Sequence, residues 1–383
     1  MERARPFPSD MNLTRTAYGT WSGGRYMHFG ETLDEQRYQD CIRVAYEAGI
    51  RTFVTADVYG QGRADQALGE ALSAYERDSY CLVGMVGHDY IKGERQGSAG
   101  YPRFTNPELR EAAEYRDFLR QSTENSLKNC GTDHFDLLMI HNPDELGYTH
   151  EAVWKGMDAL KSEGLIERSG IAPGPANGFT LDLLHVFENF GSEIDWAMVI
   201  LNPLEPWPGQ HVLEAAKVNG IDLLTRVVDY GGLFYGDMKP GHEFRPGDHR
   251  TYRPEGWIER GYAKLEEMKE MAESRGLSLI QFASAWNLSQ EPVKCVVPTV
   301  IQEAGEHAVP IEEKIRDYAA LPEDARLSPE EVEKVRAIGD NTGCMKLKGA
   351  SLRHEGPCER PDEWPMREEL LQLAGKFGLP EKW

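Results

Sequence analysis

The residues best able to move a proton or hold a polar ligand stand in four short segments, each placed directly after an apolar run. Thr55-Ala56-Asp57-Val58-Tyr59-Gly60 brings a carboxyl and a phenol together. Gly84-Met85-Val86-Gly87-His88 ends on an imidazole, with Asp89 next to it. Met139-Ile140-His141-Asn142-Pro143-Asp144 carries a second imidazole, and 226–236 carries Arg226, Asp229 and Tyr230. Phenol, imidazole and carboxyl are the groups of general acid–base chemistry. A tyrosine with a pKa near ~10 is a poor acid–base at neutral pH unless a nearby cation draws that value down. With Trp21 and Tyr26 adding aromatic faces, this set suits a polar, sugar-like small molecule. Asp57, Tyr59 and His141 are the candidate catalytic groups. Trp21, His88, Arg226, Asp229 and Tyr230 are the candidate substrate contacts.

Each has a plainer reading beside it. Asp57 and Asp144 are of the type that caps loops and helices, His88 and Asp89 suit a solvated loop, and Asp229 with Tyr230 suits the turn before Gly231-Gly232. His28, His88, His141 and Asp57 are metal-ligand types, but no HxxxH or comparable spacing joins them, and no metal is assigned. Cys344 and Cys358 lack the second pair a zinc knuckle needs and read as structural.

The segments have to be held by the elements that precede them. Apolar periodicity and turn residues predict strands near 18–21, 51–55, 80–86, 135–140, 167–171, 195–201, 221–228 and 294–297. Between them, helical patterns run over 34–49, 62–75, 107–129, 150–163, 180–190, 210–218, 258–275, 278–289 and 328–338. The strands are nearly all-apolar rather than alternating, as strands covered on both faces are. Eight βα repeats, with no GxGxxG after the first strand, predict an α/β fold: a (β/α)8 TIM barrel with a C-terminal extension. Residues 1–17 read as a loose N-terminal segment, 18–340 as the barrel, and 341–383 as an extension packed on it. In such a barrel the chemistry sits at the C-terminal ends of the strands, which is where the four segments fall.

The chain has 383 residues and a formal net charge of −21. An acidic chain without a Lys/Arg cluster lacks the basic face that phosphate backbones require, which excludes nucleic acid as the expected partner. No apolar run approaches the roughly 18 residues of a membrane span. Six cysteines without a CxxC pair predict reduced thiols and a cytoplasmic setting. A small-molecule partner remains, and oligomeric state is left open.

Taken in order, these motifs resemble the aldo-keto reductase family. Tyr59-Gly60-x-Gly62 with Leu68-Gly69-x-Ala71-Leu72 is similar to its second βα unit. Ser126-Leu127, Gly131-Thr132-Asp133, Phe135-Asp136-Leu137 and His141-x-Pro143-Asp144 are similar to its fourth. Glu163-Gly164-Leu165-Ile166, Asn202-Pro203-Leu204, Gly231-Gly232-Leu233 and Gln281 with Ala285-Trp286 continue the likeness over about 18–340. The resemblance implies hydride transfer from NADPH to a carbonyl by an Asp, a Tyr, a Lys and a His. Tyr59 and His141 match two of the four; the Asp position is Val54 and the Lys position is Met85. Losing both charges together is self-consistent, because either alone would be an unpaired buried charge. The family's nicotinamide clamp, a Ser-Asn pair and a Gln, reads Ala172-Pro173 and Met198 here. After the eighth strand, Val297–Ile301 carries no Arg or Lys, and an insertion at 302–310 precedes Glu312-Glu313-Lys314. By the same resemblance Gly19, Thr20, Gly231 and Leu233 are the positions a nicotinamide cofactor would meet.

Three functions are compatible with this pattern. One is a barrel enzyme acting on a sugar-like molecule with Tyr59 as acid–base and His141 orienting the substrate, without ordinary hydride transfer. The second is an NAD(P)(H)-dependent oxidoreductase with altered clamps, in which Arg226 or Arg25 supplies the missing cation and Asp57 stands near the lost carboxylate. The third is a non-catalytic binding or regulatory protein, whose mouth would be filled by its own tail.

Overall fold

The computed structural model describes residues 13–96, 100–253, 255–345 and 368–378. Eight parallel strands pair in sequence order: β1 (Ala17–Gly19), β2 (Thr52–Val54), β3 (Cys81–Val86), β4 (Phe135–His141), β5 (Ile166–Ala172), β6 (Trp196–Ile200), β7 (Asp222–Arg226) and β8 (Val293–Val297). A parallel bridge between Thr16 and Val296, with the Val296 N–H donating to Arg15 O at 3.0 Å, joins β8 back to the start of β1. The result is a (β/α)8 barrel, as the strand pattern predicts.

The surrounding helices are α1 (Glu35–Glu47), α2 (Arg63–Leu72), α3 (Tyr115–Cys130), α4 (Glu145–Thr149), α5 (Glu151–Ser162), α6 (Phe179–Phe190) and α7 (Gln210–Asn219). They continue with α8 (Trp257–Glu273), α9 (Leu279–Leu288), α10 (Ile311–Ala319), α11 (Pro329–Gly339) and α12 (Glu368–Lys376). Local chemistry sets their ends. Asp34 caps α1 by accepting from Arg37 N at 2.8 Å, and Ser278 with Gln281 forms a reciprocal capping box on α9. Gly131 and Gly220 stop α3 and α7 in the left-handed conformation that glycine adopts without cost.

Two apolar clusters result. The larger lies between helices and the outer sheet face. The smaller fills the lumen: Leu13, Ala17, Val54, Val83, Met85, Leu137, Met139, Ala172, Trp196, Met198, Leu224, Cys295 and Val297, with Trp21 and Ala56 toward the top. Side chains alternate in and out along a strand. The residue two positions past a lumen residue therefore points into the space above it, which is how β4 presents His141 above Met139 and β7 presents Arg226 above Leu224.

Three expectations need correction. Residues 13–17 are not loose: Leu13 is 5% exposed at the base of the lumen, and the Thr14 N–H donates to Thr52 Oγ1 at 2.8 Å. Residues 1–12 of that segment lie outside the described residues. The helix expected from 107 begins only at Tyr115, because Arg110 turns inward to pair with Asp89 and to donate to Phe104 O, holding 106–111 in turns before a single 3-10 turn at Ala112–Glu114. Helix α10 follows β8 in a stretch for which the sequence pattern names no element.

Of the extension, 341–345 crosses the upper rim. Asn341 exchanges two 2.8 Å bonds with the Trp207 backbone, and Met345 O accepts from Gly178 N at 2.8 Å. Helix α12 packs on α6. His354 and Cys358 lie outside the described residues.

Candidate functional site

The C-terminal rim of the barrel brings Tyr59, His88, His141 and Arg226 together. Tyr59 follows β2, its ring edge-on to His141 with centroids 5.6 Å apart and edge-on to Trp21 at 6.3 Å. His88 follows β3 and meets His141 at 5.0 Å. Gly87 allows this approach: a Cβ there would lie 2.7 Å from the His141 carbonyl oxygen. Trp21 folds back over Gly19, where a Cβ would lie 2.4 Å from the indole, and its Nε1 donates to Thr299 Oγ1 at 3.1 Å.

Arg226, at the end of β7, reaches across the rim to the end of β5. Its Nη2 donates to Pro173 O at 2.9 Å and to Gly174 O at 2.6 Å. Its Nε is buried without a partner. Arg103, from the loop after β3, is missing from the sequence-based candidates, since that loop carries no motif. It donates from Nε to Asn142 O and from Nη1 to His88 Nδ1 at 3.0 Å. The Asn142 Nδ2 lies 3.2 Å from Nε2 and the Tyr101 carbonyl 3.3 Å from Nδ1, so the ring is held at both nitrogens.

Burial dominates the protonation of this rim. It holds His141 well below the usual imidazole range, helped by His88, Arg103 and Arg226, and it lowers His88 to about 3, helped by Arg103. Both imidazoles are therefore neutral, and His141 Nδ1 is buried without a partner. Burial pushes the Tyr59 phenol up; Arg226 opposes the rise and Asp57 adds to it. Tyr59 thus keeps its proton. Asp57 is 1% exposed, and neither carboxylate oxygen has a formed hydrogen bond. Burial raises it well above the usual carboxylate range, with the Asp65 and Asp89 charges adding to the rise and the Val58 N–H offsetting part.

Other candidates are committed to the scaffold. Asp229 accepts from Thr299 N at 2.7 Å and from Gly232 N at 2.8 Å, stitching the segment after β7 to the one after β8. Tyr230 is 1% exposed beneath Arg253 and beside Trp257, away from the rim. Thr20 is fully buried, with its carbonyl accepting from Tyr38 and its hydroxyl donating to Thr55. Leu233 is a core residue, and a side chain on Gly231 would press on Trp257 and Arg253. Asp144 caps α4. Asp89 is tied up with Arg110. Arg25 pairs with Glu35 on the α1 side, and exposed His28 lies against His249. Among the described residues, no three His, Cys, Asp or Glu side chains are grouped as a metal ion requires.

By the family resemblance, the positions that would meet a nicotinamide fall largely on apolar lumen residues. Val54 and Met85, at the charged positions, are lumen core, as are Ala172 and Met198 at the clamp. Pro173 offers only its carbonyl, and Arg226 already occupies it. Beyond β8, Glu303 faces Arg250, which Asp248 also neutralises.

Comparison with known proteins places this architecture. Residues 16–338 match the Aldo/keto reductase family. The chain is 26% identical to the aldo-keto reductase YhdN of Bacillus subtilis over 295 residues, covering 76% of this chain and 82% of that one. It is 30% identical to the 6-dehydroglucose reductase of Agrobacterium fabrum over 164 residues, covering 42% and 50%. Among solved structures, the glycerol dehydrogenase of Gluconobacter oxydans shares the fold with a TM-score of 0.68 at 23% identity, covering 94% and 97%. With the family's motifs in order along a barrel of the family's architecture, the chain belongs to the aldo/keto reductase family.

Proposed function

We propose that this aldo/keto reductase family member is an enzyme acting on a polar, sugar-like small molecule by acid–base chemistry at the barrel rim, without ordinary nicotinamide hydride transfer. The observation that carries this reading is the pairing of an intact Tyr59–His141 contact with apolar side chains at Val54, Met85, Ala172 and Met198. Tyr59 retains its proton and offers it to a substrate oxygen. Neutral His141 orients that oxygen, as a hydrogen-bond donor or acceptor free of charge. Asp57, with a carboxyl held up in its titration, is the proton acceptor on the same side of the rim. Such a set serves epimerisation, dehydration or hydrolysis. The partial likeness to a 6-dehydroglucose reductase supports a carbohydrate substrate. Five buried cysteines without a disulfide support a cytoplasmic setting. Among the described residues no helix is long and apolar enough to cross a membrane.

The first test is a calorimetric titration of the full chain with NADPH and with NADH. We expect no binding at millimolar concentration, since each missing buried polar partner costs about 1–3 kcal/mol and several together shift a micromolar site into the millimolar range. A low-micromolar dissociation constant would replace this reading with an oxidoreductase using altered clamps. Tyr59→Phe is expected to abolish turnover of the eventual substrate; unchanged turnover would remove Tyr59 from the mechanism.

A further inference from the structure

We propose that Arg226 is the anchor for a carboxylate, so that the ligand of the rim is an acidic, polyhydroxylated small molecule of the aldonate or uronate type. This inference rests on the sugar-like reading above and narrows its substrate class. The guanidinium is held in place by backbone alone, through Pro173 O and Gly174 O. Its Nε is buried and unanswered, and among the described residues no carboxylate forms an ion pair with it. Two fully buried guanidiniums elsewhere are each paired with acids, Arg110 with Asp89 and Arg250 with both Asp248 and Glu303. Arg226 is partly exposed at the rim, where a ligand can reach it, and a fork of donors is matched to a carboxylate.

The neighbourhood reinforces the sign. The groups that face Arg226 electrostatically are the phenols of Tyr59 and Tyr148. The next cation, Arg103, spends its donors on Asn142, Tyr101 and His88. The acid acting on Arg103, Asp144, is engaged by Thr105 and Gly147. Asp57 stands on the β2 side, by Tyr59, and makes no bond to Arg226. With a net charge of −21 the molecule as a whole repels anions, so an acidic ligand requires a local cation of this kind. A carboxylate on Arg226 would leave the hydroxyl-bearing carbons of the same molecule over Tyr59 and His141.

The test uses charged and uncharged probes of one shape. The full chain is titrated calorimetrically at pH 7 with D-glucuronate, with D-glucuronamide, and with acetate, in wild type, Arg226→Gln and Arg226→Lys. We expect glucuronate to bind at least tenfold more tightly than glucuronamide. Arg226→Gln should erase that preference, and Arg226→Lys should retain part of it. Equal binding of the two sugars overturns the anchor and leaves the sugar reading standing. Acetate binding that depends on Arg226, with neither sugar bound, keeps the anchor and removes the sugar reading. No binding of any acid at millimolar concentration overturns the anchor. The wild-type comparison decides the question even if Arg226→Gln fails to fold.

Discussion

A lone charge in a barrel lumen is dearer than no charge at all, and this governs Val54 and Met85. Both sit in the apolar lumen cluster, so Met85→Lys alone should destabilise the protein by about 3–5 kcal/mol, the size of an uncompensated buried charge. Adding Val54→Asp should recover a large part of that loss. Urea unfolding of the two variants measures both. Carbonyl reduction with NADPH should not rise in the double variant, because Ala172, Pro173 and Met198 remain; a clear gain would show that the charged pair was the only element missing. A second residue-scale effect concerns Asp65. It is fully buried, accepts from Thr55 and Ser126 at 2.6 Å each, and is raised by burial to about 6. Folding therefore favours its protonated form. Its contribution to stability is full below about pH 4 and is lost as pH rises through about 6. Relative to Asp65→Asn, the wild type should lose on the order of 2–3 kcal/mol between pH 4 and pH 7, read from urea midpoints at the two pH values. A constant difference would remove the shift.

At the scale of elements, the rim is built by loops that ion pairs hold in shape. The segment after β7 folds over the end of β8 through Arg250, which is 2% exposed and bonded to Asp248 and Glu303. Against the upward push of burial, the His242 hydrogen bond and the Arg250 guanidinium hold Glu303 down at about 2. That stability is present above the ordinary carboxylate range and is lost as pH falls toward 2. Beside it Lys314 of α10 bridges Asp237 at 2.6 Å and Ile301 O at 2.7 Å. Arg250→Met removes the cation that two buried carboxylates share and should cost about 3–5 kcal/mol in thermal or urea unfolding. A cost under about 1 kcal/mol would show the cluster to be solvated. Similarly, Arg110 with Asp89 decides that 106–111 turns rather than coils into α3. Helical periodicity alone cannot register that, since an inward-turning arginine looks like any exposed helical arginine in sequence.

For the whole molecule, closure of the sheet is the decisive event. Thr16 pairing with Val296, and Leu13 filling the base of the lumen, join residues nearly the length of the barrel apart. Leu13→Ala should cost about 2–5 kcal/mol and is checked by urea unfolding; a loss below about 1 kcal/mol would show that Leu13 does not contribute to the core. The eight strands were legible because buried parallel strands are continuously apolar, and most helices because their apolar faces recur at helical spacing. Tyr59 and His141 were legible because each follows such a strand. Arg103 was not, since it stands in a loop without pattern, and Tyr230 looked like a rim residue because nothing local shows that Arg253 and Trp257 cover it.

By itself, the sequence determined the barrel class and the apolar character of the strands, Val54 and Met85 among them. Periodicity and side-chain type are local properties, and these conclusions need only those. The tertiary structure alone decided which polar groups face one another across the rim. Arg226 finds Pro173 and Gly174, 53 and 52 residues away, and His88 becomes a neutral, locked ring. Asp229 is spent on two backbone amides. Those outcomes depend on which strands the closed sheet sets side by side and on what burial leaves unpaired, and neither is a property of any short stretch of chain.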